Sequence, residues 1–267
     1  MARRATAIKQ VREGNDGIVL VLDAGGTLVG QWLSLKTDGR VMVEAMNLMG
    51  YDALTLGQMD LALGLDVLKE RQAEAKFPFL SANVVSVTDK KPFFQPYITL
   101  ERQGVRIGII GLSEPQSVQV PGLSDLAMVL NPADAAKQYV AELRDKVDIL
   151  ILLSHLGLED DKALAQTVPG IDIIVGGKTL QLMRQPEEVG NTLIVQQGYR
   201  GEYAGHLKAT FDAQGVPNDF SEEIISLTED YADDEEVAGV VRKWAALYPS
   251  PTPPPAPTEP PTQTPTK

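Results

Sequence analysis

The chain has 267 residues, 43% of them hydrophobic, which is enough for one large domain or two small ones. Its net charge of -12 argues against a nucleic-acid backbone as a partner, because phosphate contacts need clustered Lys and Arg, but it leaves room for a small phosphorylated ligand. The lack of cysteine excludes disulfides, zinc thiolate sites and cysteine nucleophiles, and no apolar stretch in the sequence reaches the roughly 18 residues that a membrane span needs.

The first half of the chain alternates short aliphatic runs with amphipathic stretches, which predicts strands and helices in turn. We expect strands and helices, in chain order, at 18–22 (strand), 41–49 (helix), 53–56 (strand), 65–75 (helix) and 79–85 (strand). Two further strands, at 97–101 and 105–112, flank Gln103-Gly104, a sequence typical of a hairpin turn.

The second half continues the alternation and adds antiparallel strands. Asn131-Pro132 predicts a helix start, with Asn as the cap and Pro at the first helical position. After this helix we expect elements at 147–153 (strand), 163–168 (helix), 171–175 (strand), 192–196 (strand), 206–211 and 223–227 (antiparallel strands) and 234–247 (helix). Aliphatic strands that alternate with helices indicate an α/β layered fold, and the antiparallel pairs make its sheets mixed.

The composition changes at residue 249. Nine of the chain's 18 prolines lie in 249–267, interleaved with Thr, so this segment is predicted to be a disordered, extended tail. The predicted organisation is therefore a domain at 1–230, a C-terminal helix at 231–248 and the tail.

Four predicted strand ends carry glycine, where a chain must turn sharply or approach a ligand closely. These are Asp23-Ala24-Gly25-Gly26, Gly57-Gln58-Met59-Asp60, Leu153-Ser154-His155-Leu156-Gly157 and Gly176-Gly177-Lys178-Thr179-Leu180. Ligands bind beyond the carboxyl ends of strands in open α/β sheets. From the residues alone, the four loops fit either a site or ordinary strand-to-loop turns.

With the segments between them, these loops resemble the 5'-nucleotidase family of calcineurin-like metallophosphatases. The resemblance covers about residues 3–230, in matching order, and its main runs are Leu22–Gly25, Met46–Ala53, Phe77–Val84, Ile107–Leu112, Leu153–Gly157 and Ile171–Gly177. It implies a four-layer αββα sandwich that holds two divalent metal ions and hydrolyses phosphoric esters, usually followed by a separate substrate-binding domain.

The chemistry of that family needs an Asp that bridges the two ions, His and Asn ligands around them, and a further catalytic His. Residue by residue, the resemblance places Gly26 at the bridging Asp, Gln58 at the Asn ligand, Met59 at the catalytic His, and Lys178 and Leu180 at two His ligands. None of these five side chains suits its role.

His155 is the one metal ligand that the resemblance retains, and a single imidazole cannot hold two ions. We favour a hydrogen-bonded His at a strand end over a surviving ligand. Asp23 and Asp60 match acidic residues that lie beside ligands in the family, and a one-metal site built by these carboxylates and His155 is an open alternative. No metal cofactor is expected. Lys178, beside two glycines, could instead bind an anion.

The family begins with an Asp-x-His strand ahead of the position of Ala2, and the sequence shows no such strand. Without this first strand, two strand edges and apolar surface would stay open. Three outcomes are possible: neighbouring strands close the gap, the monomer is poorly stable, or another protein completes the sheet.

Three functional hypotheses follow: a catalytically inactive binding or structural module, a phosphoesterase of reduced or altered metal requirement, and a truncated gene product. Localisation is open. The family is extracytoplasmic, whereas the basic segment at 1–9 is followed by no apolar region of the kind a signal peptide has.

Overall fold

A computed structural model describes residues 1–198, 200–212 and 215–250, so the predicted tail lies outside the described residues beyond residue 250. The helices are α1 (Ala2–Glu13), α2 (Trp32–Lys36), α3 (Arg40–Met49), α4 (Gln58–Leu61), α5 (Leu65–Glu74), α6 (Pro132–Leu143), α7 (Leu158–Thr167) and α8 (Glu235–Leu247). The strands are β1 (Leu22–Asp23), β2 (Ala53–Thr55), β3 (Phe79–Leu80), β4 (Val84–Ser86), β5 (Tyr97–Arg102), β6 (Val105–Ser113), β7 (Ala127–Val129), β8 (Ile149–His155), β9 (Ile173–Gly176), β10 (Glu187–Val189), β11 (Thr192–Val195), β12 (Tyr203–Phe211) and β13 (Pro217–Ser226).

The largest sheet has six strands in the order β10-β11-β9-β8-β6-β5. Its four central strands run parallel, and the edge strands β5 and β10 pair antiparallel with their neighbours. Apolar side chains cover both faces, as expected for parallel strands between two layers. On one face Ile110, Leu150 and Leu152 pack with helices α6 and α7, and on the other Ile109 and Ile151 form a second apolar cluster.

A second sheet layer faces that cluster, and it is in two pieces. Strands β1, β2 and β3 form a parallel sheet, and β12 and β13 form a separate antiparallel hairpin. Leu22 on the first piece and Leu207 and Phe211 on the second all pack against the cluster that contains Ile109 and Ile151. Outside the first piece, α1, α3, α5 and α8 contribute to a third apolar core. The predicted α/β fold with mixed sheets and an αββα layering is therefore confirmed.

The strand predicted at 18–22 is wrong for most of its length. Only Leu22 and Asp23 belong to a strand, and residues 18–21 are half-buried and lie outside any ladder. The amide of Val21 donates to the Asp52 carboxylate at 2.8 Å instead of to a neighbouring strand. An aliphatic run forms a strand only where a neighbouring strand is available to pair with its edge.

Further elements differ from the predictions, and three of them have a clear local cause. The strand predicted at 79–85 divides into β3 and β4, which lie in different sheets, because the Asn83 side chain turns inward and its amide donates to the Ser113 carbonyl at 2.7 Å. Helix α7 begins at Leu158 rather than at residue 163, with three acidic residues in its first turn, where they favour the helix dipole. Helix α1 was not predicted, because its buried face is built from alanines and shows little hydrophobic contrast.

The last helix packs onto the same core as the rest of the chain. Asp234 caps α8 by accepting a hydrogen bond from the Val237 amide at 3.0 Å, and Val237 is buried among the residues of the third core. Glu44 on α3 receives hydrogen bonds from Lys243 at 2.8 Å and Trp244 at 2.7 Å. Among the described residues, no helix is long and apolar enough to cross a membrane.

Candidate functional site

The four glycine-bearing loops meet at one point, at the carboxyl ends of β1, β2, β8 and β9. His155, the last residue of β8, lies at the centre and is 8% exposed. A Cβ atom added to Gly25, Gly26, Gly57 or Gly177 would lie 2.5 to 3.1 Å from the His155 ring. The four loops, which the residues alone left open as a site or as ordinary turns, therefore converge, and they enclose an imidazole.

The His155 ring is fixed by a hydrogen bond to the backbone. Its Nδ1 atom lies 2.6 Å from the carbonyl oxygen of Ala24. A carbonyl oxygen can only accept, so Nδ1 carries the proton and donates, which leaves the lone pair of a neutral ring on Nε2. A Cβ atom at Gly57 would lie 2.5 to 2.8 Å from Cδ2, Nε2 and Cε1, so the Gly57 backbone packs on the face of the ring. The Nε2 lone pair lies in the plane of the ring, so it is the other residues around His155 that decide whether a metal could be held.

The Asp60 carboxylate holds two of these loops together. One oxygen, Oδ2, accepts from the amides of Gly26 at 2.6 Å and Gly57 at 3.0 Å, and Oδ1 accepts from the Leu28 amide at 2.8 Å. Asp60 is fully buried, and this burial raises the pKa of its carboxyl, while the three amide donors oppose the rise. Its acceptor positions serve the loop backbone rather than a ligand.

Asp23 likewise accepts hydrogen bonds from its own loop. Its carboxylate accepts from the Gly25 amide at 3.0 Å and from the Thr27 hydroxyl at 2.9 Å. Burial raises the pKa of the Asp23 carboxyl, and the positive charge of Arg4 on α1 opposes that rise. Arg4 in turn donates to the Tyr51 hydroxyl at 3.3 Å.

The remaining positions of the predicted site point to solvent. Gln58 and Met59 lie exposed in the first turn of α4, and Met59 is 49% exposed. Lys178 and Leu180 are exposed in the loop after β9, where both have positive φ angles of 69° and 57°. Glycine or Asn relieves the strain of this backbone region more readily than Lys or Leu does.

Sequence reasoning missed a buried carboxyl next to the site. Asp161 on α7 is fully buried, and its Oδ1 accepts a hydrogen bond from the Ser154 hydroxyl, whereas its Oδ2 has no hydrogen-bond partner. Burial raises the pKa of Asp161 to about 7. The available signal was Ser154 itself, since a polar residue inside an aliphatic strand needs a buried partner.

The side chains at this site do not fit a dinuclear metal centre. Within residues 1–198, 200–212 and 215–250, no three His, Asp or Glu side chains are grouped so that they could hold a metal ion. Asp23 and Asp60 use their oxygens on loop amides and a hydroxyl, and Gly26 supplies no bridging carboxylate. The open alternative of a one-metal site on these residues gains no support from this geometry, because their lone pairs face backbone donors.

Comparison with known proteins identifies relatives over most of the chain. No family model matches the chain. The trifunctional nucleotide phosphoesterase protein YfkN of Bacillus subtilis is 32% identical over 80% of this chain and 17% of its own length. The 5'-nucleotidase of Vibrio cholerae is 30% identical over 79% of this chain and 45% of its own length, so this chain spans less than half of each relative.

Two solved structures share the fold. A 5'-nucleotidase precursor from Thermus thermophilus superposes with a TM-score of 0.84 at 28% identity, over 92% of this chain and 53% of that one. The calcineurin-like phosphoesterase YfkN from Bacillus subtilis superposes with a TM-score of 0.81 at 23% identity, over 92% of this chain and 88% of that one, which supports the fold.

Proposed function

We propose that this chain is a catalytically inactive binding module without a metal centre. The chain belongs to the calcineurin-like phosphoesterase and 5'-nucleotidase family, and it corresponds to the N-terminal domain of its relatives. The observation that carries the proposal is the lack of further ligands around His155, since no three His, Asp or Glu side chains of the described residues are grouped so that they could hold a metal ion. A ligand imidazole binds a catalytic metal only together with further donors.

The carboxylates support the same proposal. In a metal-dependent hydrolase, carboxylates neutralise the ions and one of them bridges the pair. Asp60 accepts three backbone amides, and Gly26 has no side chain to bridge with. The site residues therefore stabilise the four loops of the scaffold. They provide no set of ligands for a pair of metal ions.

Lys178 is the residue on which binding of a small phosphorylated ligand rests. It is exposed, and it follows two glycines at the end of β9. An ammonium group beside loop amides can hold a phosphate by charge and hydrogen bonds without any metal. The ligand would be bound at this loop and not hydrolysed.

A hydrolysis assay separates this proposal from a phosphoesterase of altered metal requirement. The full chain is incubated with a nucleoside monophosphate and with a generic phosphodiester, with and without added manganese. We expect phosphate release equal to that of buffer under all conditions. Turnover that His155→Ala abolishes and Gln10→Ala retains would contradict the proposal, because Gln10 is an exposed residue of α1.

Binding is measured separately by isothermal titration calorimetry with adenosine monophosphate and with inorganic phosphate, in the absence of metal. We expect heat of binding that Lys178→Ala removes and that Lys36→Ala, a charge-matched change on α2, leaves unchanged. Equal binding by all three proteins would assign the ligand to another surface.

A further inference from the structure

A cavity of about 500 Å³ lies at the amino end of strand β3. Its walls come from helix α5, from the residues that lead into β3, and from residues 93–95, which run beside β3. The loops around His155 follow β1 and β2, so they lie at the opposite, carboxyl end of the same parallel sheet. Pockets for small ligands typically measure about 300–1,000 Å³, so the cavity has the size of a small-molecule site.

The apolar part of the cavity wall is aromatic and fixed in position. Phe77 and Phe94 are buried, and Phe93 is half-buried and packs against the same core. The Phe77 ring lies tilted against Phe79 and Tyr51, with ring centroids 5.9 and 6.1 Å away. A wall of this kind favours a flat ring as its ligand, because aromatic rings pack edge-to-face or offset against one another.

Two amide side chains hold the backbone of the cavity wall. Gln72 on α5 donates to the Phe77 carbonyl at 3.2 Å and accepts from the Phe79 amide at 2.6 Å. Asn47 on α3 accepts from the Lys76 amide at 2.7 Å. The wall is therefore anchored to two helices, and a ligand that binds it has little backbone to order.

Both charged residues that line the cavity are lysines, Lys69 and Lys76, in a chain with 36 acidic and 24 basic residues. Lys69 makes an exposed contact of 3.8 Å with Asp66, which contributes little to its environment. Lys76 is exposed and forms no ion pair in the described part of the chain. The neighbouring carboxylates of Glu70 and Glu74 pair with arginines instead. The cavity thus joins an aromatic wall to two ammonium groups.

We propose that this cavity binds a small aromatic anion, a ring that carries a carboxylate. The ring packs on the phenylalanine wall, and the carboxylate accepts hydrogen bonds from Lys69 and Lys76. Gln95, which is exposed and lines the cavity, can donate a further one. Acetate lacks the ring and a neutral arene lacks the charge, so neither satisfies both parts of the wall. The site is independent of the loop that carries Lys178.

Isothermal titration calorimetry on the full chain tests the proposal, with naphthoate as the probe. Its controls are naphthylmethanol, which has the same ring and a neutral hydroxyl, and acetate, which has the charge and no ring. We expect naphthoate to bind and naphthylmethanol to bind at least about tenfold more weakly, because hydrogen bonds between charged groups are the stronger ones. Acetate is expected to give no heat of binding.

Charge-matched variants locate the site. Lys69→Gln combined with Lys76→Gln should weaken naphthoate binding at least about tenfold. Lys137→Gln combined with Lys146→Gln, which removes two exposed lysines elsewhere, should leave it unchanged. Naphthoate should also slow hydrogen–deuterium exchange at residues 75–78 and 93–95, because a ligand suppresses local opening of the backbone around it.

Three results would overturn the proposal: no binding of naphthoate to the parent chain, equal binding of naphthoate and naphthylmethanol, or unchanged binding in the variant of Lys69 and Lys76. Loss of binding in Lys178→Ala, with binding retained in that double variant, would overturn it in favour of the loop after β9.

Discussion

The Nδ1 atom of His155 lies 2.6 Å from the carbonyl oxygen of Ala24, and this contact links the end of β8 to the loop after β1. It fixes the orientation of a ring that the family resemblance marks as a metal ligand, and it makes that residue a structural hydrogen-bond donor as well. The glycines around the ring complete that role, because each allows backbone to approach the imidazole closely.

Gly57→Ala should destabilise the fold. A Cβ atom at this position would lie 2.5 Å from Cδ2 and Nε2 of His155, which no buried contact tolerates. We expect a loss of about 1–3 kcal/mol in the free energy of unfolding, the usual range for overpacking. Chemical denaturation measures it, and the loss should shrink in a His155→Ala background, where the ring is gone.

The matched control for that change is Gly239→Ala in helix α8, where an added Cβ has its nearest neighbour at 4.0 Å. It should stabilise the chain by about 0.5–1 kcal/mol, since Ala is the better helix former. Equal effects of the two substitutions would show that His155 does not pack on Gly57 as described.

Asp60→Asn should be strongly destabilising, because the substitution exchanges one oxygen that accepts loop amides for an NH2 group that cannot accept. The carboxylate receives the amides of Gly26, Leu28 and Gly57. Leaving buried donors unpaired costs about 1–3 kcal/mol per group. Asp66→Asn, on the exposed surface of α5, serves as the control and should leave the denaturation midpoint unchanged.

The loss of stability in Asp60→Asn should also be the same in the presence of manganese and in the presence of a chelator. A melting temperature of the parent chain that rises with manganese, and no longer does so in the variant, would assign Asp60 to a metal site instead.

Asp161 should make stability fall as pH rises. Burial raises the pKa of its carboxyl from 3.8 to about 7, so between these values the folded chain holds a proton that the unfolded chain has lost. The free energy of unfolding is then greatest below about pH 4, declines up to about pH 7 and is level above that pH. The total decline is about 1.4 kcal/mol for each pKa unit of the shift.

The measurement is urea denaturation of the parent chain and of Asp161→Asn between pH 4 and pH 8. Other carboxyls with a raised pKa contribute with the same sign, among them the half-buried Glu222, whose pKa is raised to about 7, so the comparison between variants is the informative one. The difference in stability should change with pH only below about 7. A difference independent of pH would show that Asp161 titrates as an ordinary carboxyl.

Asn131→Ala should weaken helix α6. The Asn131 side chain accepts from the amides of Ala133 at 2.9 Å and Asp134 at 3.2 Å, and Pro132 begins the helix. Removing such a cap costs about 1 kcal/mol of stability, which thermal denaturation detects. Asn191→Ala, in the exposed turn between β10 and β11, is the comparison, and an equal loss there would contradict the assignment.

The sequence was sufficient where local signals decide structure. The Asn131-Pro132 start and the hairpin around Gln103-Gly104 are both present. It failed where a distant partner decides. Residues 18–21 are aliphatic but outside any ladder, since no neighbouring strand covers their second edge in the described part of the chain.

The residue types of the candidate site were predictable, whereas its hydrogen-bond network was not. The residue types at Gly26, Gln58, Met59, Lys178 and Leu180 could be set against a known pattern. Asp60 accepts an amide from a loop 34 residues away, and Ser154 donates to the buried Asp161. These contacts depend on tertiary distances that no local pattern encodes.

The metal stoichiometry of the purified full chain tests the central claim most directly. The protein is dialysed against manganese, then against metal-free buffer, and measured by inductively coupled plasma mass spectrometry beside His155→Ala. The lack of further ligands around His155 among the described residues predicts manganese at the level of the buffer in both proteins. About two bound ions per chain, lost in His155→Ala, would contradict the account.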